Sequence, residues 1–76
     1  MKLSELAVGD TAVVTGYASN EPGYRKRLLA MGLTPGTVLT VSRLAPLGDP
    51  VEISVRGFAL SLRRHEADVV EIKRQS

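Results

Sequence analysis

Turn chemistry interrupts this sequence too often for a long helix or a long strand. Gly9-Asp10, Gly32, Pro35-Gly36, the stretch Ala45-Pro46-Leu47-Gly48-Asp49-Pro50, and Gly57 all carry residues that turns select. Glycine supplies positive φ and proline withdraws a ladder donor, so regular structure has to stop at each of them. The runs between these stops are rich in β-branched and alternating apolar residues. A chain punctuated in this way is expected to fold into short strands.

The runs can be taken in order. Leu3, Leu6 and Val8 precede the first turn, and Ser4-Glu5-Leu6 is expected to form one capped helical turn. Residues 11–18, TAVVTGYA, read as a strand in which Gly16 marks a bulge or a sharp bend. Ser19-Asn20-Glu21-Pro22 has the chemistry of a helix start: a capping side chain, an early acid and a proline in the first turn. In the segment that follows, Tyr24, Leu28 and Met31 fall at i, i+4 and i+7, and the face they share is expected to pack on the sheet. Gly32 suits the left-handed residue that ends a helix, and Pro35 follows it. This predicts one helix of about two and a half turns.

From Pro35-Gly36 onward the period becomes two. Residues 37–44 form a strand and residues 45–50 a loop. Val51, Ile53 and Val55 then alternate with Glu52, Ser54 and Arg56, which predicts one buried and one wet face. Gly57 makes a tight turn, after which Leu60 and Leu62 alternate with Ala59, Ser61 and Arg63. Residues 64–68 form a short irregular or helical turn, residues 69–72 a last strand, and residues 73–76 a frayed tail.

Five strands and one helix in 76 residues make a single domain, residues 1–76. Size scaling gives it about 4,500 Å² of folded surface against about 12,000 Å² for the extended chain. A flat sheet this small leaves two edges and an apolar face in water, and curling it removes both problems. The prediction is a mainly β fold: a small five-stranded SH3-like barrel with one short α-helix inserted between the first and second strands. An OB-fold also has five strands, but it places its helix between the third and fourth.

The residue inventory excludes most chemistry. Cysteine is absent, which removes disulfides, thiolate metal sites and cysteine nucleophiles together. His65 is the one histidine, and none of Ser4, Ser19, Ser42, Ser54, Ser61 and Ser76 lies in a nucleophile-elbow pattern. There is no phosphate-cradling Gly-Lys loop. The chain is expected to be neither an enzyme nor the holder of a cofactor. No apolar run is long enough to span a membrane and MKLSEL lacks a signal-peptide core, so a cytoplasmic location is expected. His65, Glu66 and Asp68 are near enough in sequence to chelate a divalent ion loosely, although a solvated polar turn explains them better. The most this site would give is adventitious zinc on His65.

Ten Lys+Arg against eight Asp+Glu give a net charge of +2, less than the basic stripe of a nucleic-acid protein. Arg25-Lys26-Arg27 spreads over roughly 200° of helix surface, at about 100° per residue, as a solvated helix face does. Leu29 lies about 140° around the helix from Tyr24, off the core face and beside Arg25. It is either a plain surface leucine or a protein contact. Tyr17, Tyr24 and Phe58 provide too little aromatic surface for a polyproline groove or for base stacking.

Arg27-Leu28-Leu29-Ala30-Met31-Gly32-Leu33-Thr34-Pro35-Gly36 resembles the helix-plus-turn signature of the FeoA family, small cytoplasmic proteins of bacterial ferrous iron uptake. Ala45-Pro46-Leu47-Gly48-Asp49-Pro50 with Val51-Glu52-Ile53 resembles that family's second characteristic stretch. Leu60-Ser61-Leu62-Arg63-Arg64 with Val69-Val70 resembles its C-terminal part. The resemblance implies the SH3-like barrel again. It also implies a role beside FeoB, the ferrous iron permease with a cytosolic G-protein domain, reached from the inner face of the membrane and only through that permease.

On this reading the partner contacts are Arg25, Leu28, Leu29 and Met31, with Pro46 and Leu47 at a loop tip as a second contact. Leu28 and Met31 act by holding the helix on the barrel, and Gly32, Pro35, Gly36, Gly48 and Pro50 act as backbone devices. An arginine finger from Arg25 or Arg27 is a weaker reading, because surface arginines on helices are common. The chain is expected to be a monomer or a weak homo-oligomer. A nucleic-acid-binding barrel and an SH3-like adaptor for another protein are the rival functions.

Overall fold

The strands form where β-branched residues run between the turn glycines. The computed structural model describes residues 1–18 and 21–75, so the expected capping pair Ser19-Asn20, and Ser76, lie outside the described residues. A single 3-10 turn, Leu3–Glu5, opens the chain, one residue earlier than expected; the Lys2 N–H donates to Glu5 Oε1 at 2.8 Å and starts it. It is followed by β1 (Thr11–Tyr17), α1 (Pro22–Ala30), β2 (Val38–Leu44), β3 (Val51–Val55), β4 (Phe58–Leu62), α2 (Arg64–Ala67) and β5 (Val70–Gln75).

All five strands join one antiparallel sheet in the order β4-β3-β2-β1-β5. The helix sits between β1 and β2, which the OB-fold alternative does not allow. The β1–β5 register shifts between Val14 and Gly16, at the expected bulge, and the β2–β3 register shifts between Val41 and Arg43. Bulges bend a strand and add twist, which lets so small a sheet curl around a core. β3 and β4 meet at the pair Val55 and Phe58 through Arg56 (φ 53°) and Gly57 (φ 83°). Two positive φ values at the centre of a two-residue loop are the mark of a primed hairpin turn, whose twist matches that of the strands.

One correction concerns the C-terminus. Residues 73–75, expected to fray, continue β5. Lys73, Arg74 and Gln75 pair with Val13, Ala12 and Thr11, because β1 extends far enough to offer them ladder partners. Arg74 also donates to Asp10 Oδ2 at 3.0 Å.

The core draws on every element. Leu3 and Leu6 come from the N-terminal turn, Ala12 and Val14 from β1, Leu28 from α1, and Leu39 and Val41 from β2. Val51, Ile53 and Val55 of β3 are buried while Glu52 and Ser54 are not, as the alternation predicts. The accessible surface is 4632 Å², in line with the size scaling. The two edges of the sheet differ. Met1 and Lys2 lie along β5: Lys2 bridges to Glu71, and the Ile72 N–H donates to the Met1 carbonyl at 2.8 Å. No strand among the described residues pairs with the outer edge of β4.

Candidate functional site

The helix exit is built by a sequence that can do little else. Gly32 takes φ 86°, open to glycine at no steric cost. The Gly32 N–H donates to the Leu29 carbonyl and the Leu33 N–H to the Leu28 carbonyl, each at 3.0 Å. That bond pair is a Schellman cap, and it comes with the usual apolar contact partners, since Leu28 and Leu33 are both buried. Beyond the cap, the buried Thr37 hydroxyl donates to the Gly32 carbonyl at 3.2 Å, and the Tyr17 hydroxyl donates to the Leu33 carbonyl at 2.7 Å. The Gly36 N–H (φ 93°) donates to the Val14 carbonyl at 2.7 Å, and this fastens the turn around Pro35 to β1. Gly32, Pro35 and Gly36 thus sit where backbone devices are needed.

This scaffold sorts the helical residues. Leu28 is fully buried and Met31 packs half-buried against the core. Leu29 is 42% exposed, and Arg25, Lys26 and Arg27 face solvent. The expected core face needs one correction. Tyr24 is only half-buried: its hydroxyl lies 2.9 Å from His65 Nδ1, and the two rings meet edge-on at 5.7 Å. Its polar tip draws it towards α2, away from the apolar interior.

The weak metal set comes apart in the same region. His65 engages Tyr24, the Asp68 carboxylate accepts from the Ser4 hydroxyl, and Glu66 is buried beneath Arg27, to which it is ion-paired. Glu66 Oε1 also accepts the Arg63 N–H at 2.9 Å and so caps α2. Chelation requires convergent ligands, whereas these three side chains have three separate partners; among the described residues no cluster of three metal-ligating side chains occurs. A pocket of about 400 Å³ remains between α1 and α2, lined by Glu21, Tyr24, Arg27, Arg63, His65 and Glu66. Ser4 and Ser42 bond to Asp68 and to the Glu52 carbonyl, so neither is aligned with His65 as a nucleophile.

The loop between β2 and β3 carries the second expected contact. The Gly48 N–H donates to the Ala45 carbonyl at 2.8 Å with φ 78°, which closes a turn and pushes Leu47 out to 89% exposure. Pro46 is exposed beside it, and Pro50 follows a cis Asp49–Pro50 peptide. The Arg64 N–H donates to Asp49 Oδ1 at 3.1 Å and ties the loop to α2.

A further surface feature was not singled out in the sequence. Met31, Gly32, Val55, Arg56, Phe58 and Leu60 line an apolar groove of about 330 Å³, beside which Phe58 is 73% exposed. The signal was present in the period-two pattern, because Phe58 is in phase with Leu60 and Leu62.

Comparison with known proteins agrees with this frame. The FeoA domain matches residues 1–74. A Porphyromonas gingivalis Fe(2+) transport protein A/Fe(2+) transporter FeoB fusion protein is 41% identical over 73 residues, covering 96% of this chain. The chain spans only 8% of that relative's length. The solution structure of the FeoA protein from Chlorobium tepidum superposes with a TM-score of 0.88 at 47% identity, covering 100% of this chain and 71% of the other. The crystal structure of Stenotrophomonas maltophilia FeoA complexed with zinc, described as a prokaryotic SH3 domain protein, superposes with a TM-score of 0.82 at 28% identity, covering 96% and 89%. With the domain match running almost end to end and the same SH3-like frame in solved relatives, this chain belongs to the FeoA family of ferrous iron transport.

Proposed function

We propose that this chain is a cytoplasmic accessory protein of bacterial ferrous iron uptake that works by docking on the cytosolic part of a FeoB-type permease. It catalyses nothing itself. It biases the permease, through its G-protein domain or its pore, towards one state by binding that state more tightly than the other. The observation that carries this reading is the P. gingivalis relative, in which an FeoA portion and an FeoB transporter are one polypeptide. Fusion holds two partners at high effective concentration, an arrangement suited to modules that act on each other.

The exposed apolar side chains support the same reading. Leu29, Leu47 and Phe58 stand in water at a cost that a partner would relieve. Arg25 flanks Leu29 with the cation that a polar rim supplies. Leu28 and Met31 contribute indirectly, by holding α1 in place.

The test is co-purification of the full chain with the cytosolic G-protein domain of its cognate permease, alongside ferrous iron uptake in cells lacking the chain. Retention on the domain, together with a loss of uptake on deletion, is the expected outcome. Leu29→Glu is expected to weaken retention without lowering the melting temperature. Retention of nothing, with uptake unchanged, overturns the proposal.

A further inference from the structure

The β3–β4 end of the molecule is unfinished in two respects. In the β3–β4 register Val55 pairs with Phe58, Ile53 with Leu60, and Val51 with Leu62. Residues directly opposite each other point to the same face, so Phe58 and Leu60 stand on the core side, opposite the buried Val55 and Ile53. Nevertheless Phe58 is mostly exposed and Leu60 only half-buried. The core face therefore continues past its cover and opens as the groove beside Met31 and Gly32.

The backbone is unfinished along the same strand. A two-residue turn with both φ values positive makes Val55 and Phe58 a hydrogen-bonded pair. Bonded and non-bonded pairs alternate along an antiparallel ladder. Ala59 and Ser61 thus direct their N–H and C=O groups away from β3, where no strand among the described residues receives them. β4, FALSL, contains none of the charged residues or prolines that blunt an exposed edge.

Arg56 supplies the chemistry of the occupant. It holds a left-handed conformation that glycine or asparagine would adopt more cheaply, and it lines the groove with no carboxylate partner among the described residues. A strained cation at the mouth of an apolar groove, next to an open strand edge, matches an extended segment that carries an apolar side chain and a carboxylate.

We propose that an extended acidic-apolar segment of the permease's cytosolic part adds to β4 as a sixth strand. Its main chain pairs with Ala59 and Ser61, its apolar side chain fills the groove between Met31, Phe58 and Leu60, and its carboxylate meets Arg56. Recognition of this kind draws affinity from the main chain and specificity from the side-chain pockets. The proposal rests on the permease-docking reading and deepens it.

The test uses amide spectra and hydrogen exchange on the full chain. The chain is titrated first with the purified G-protein domain of the cognate permease, then with synthetic peptides spanning the permease's cytosolic segments. One acidic-apolar peptide is expected to bind and to protect the Ala59 and Ser61 amides from exchange. Ser61→Pro removes an outward donor and spares the β3 ladder, and is expected to weaken binding about fivefold; Ser61→Thr keeps the donor and leaves affinity unchanged. Phe58→Ala is expected to cost tenfold or more, with the fold retained. Arg56→Gly keeps the turn, weakens binding several-fold and flattens its salt dependence.

Binding that shifts only α1 resonances and ignores both Ser61→Pro and Phe58→Ala overturns strand addition and leaves permease docking standing. Dimerisation of the chain through Ala59 and Ser61 assigns the edge to a second copy and also overturns it. An absence of binding to every permease segment overturns both readings.

Discussion

The two edges of the sheet solve the same problem in opposite ways. At β5 the N-terminal residues lie over the strand: Lys2 bridges to Glu71, and the N-terminal ammonium lies 3.6 Å from the Glu71 carboxylate. The far end of that strand carries Lys73 and Arg74, charges that discourage pairing with another chain. At β4 no strand among the described residues pairs with the outer edge, and the strand begins with an exposed phenylalanine. An edge left open and apolar in so small a protein does not serve stability. On the strand-addition proposal, β5 is closed for folding and β4 is left for contact.

Three substitutions probe that contrast. Leu3 is fully buried and anchors the segment that covers β5. Leu3→Ala is expected to cost about 2–5 kcal/mol in chemical denaturation, and to speed hydrogen exchange at Glu71 and Ile72. If β5 exchanges no faster, Leu3 does not anchor that edge. Arg56→Gly relieves a left-handed arginine at the other edge, and is expected to raise stability by about 0.5–1 kcal/mol. A loss of stability there would mean that Arg56 supports the hairpin rather than a partner. Phe58→Ala, at a side chain already in water, is expected to change stability by less than about 0.5 kcal/mol. A melting temperature lowered by several degrees would show that Phe58 belongs to the core and that the two edges are less different than they look.

Much of the frame could be read from residue order. The turn glycines and the alternation of Val51, Ile53 and Val55 located the strands, because a period of two leaves an apolar residue only one dry side. Gly32 after an apolar helical stripe announced the cap, since positive φ favours glycine. Residues 73–75 were misjudged because polar tails usually fray, and nothing local says that β1 will extend far enough to pair with them. Tyr24 was misjudged for a related reason: its helical phase points inward, but the partner that draws its hydroxyl aside, His65, is distant in the chain. The turn of His65, Glu66 and Asp68 reads as solvated, yet Glu66 is buried beneath Arg27, again a partner distant in the chain. Phe58 was legible as a core-phase residue, but its exposure was not.

Local chemistry therefore settled where the chain turns, which strand faces are apolar and where the one substantial helix ends, since those depend on φ preferences and side-chain spacing within a few residues. Which edge is covered, which buried carboxylate finds its arginine and which apolar face runs out of neighbours depend on contacts between residues far apart in the chain. Those contacts arise only when the whole sheet has curled, and the candidate docking edge at β4 exists only because of them.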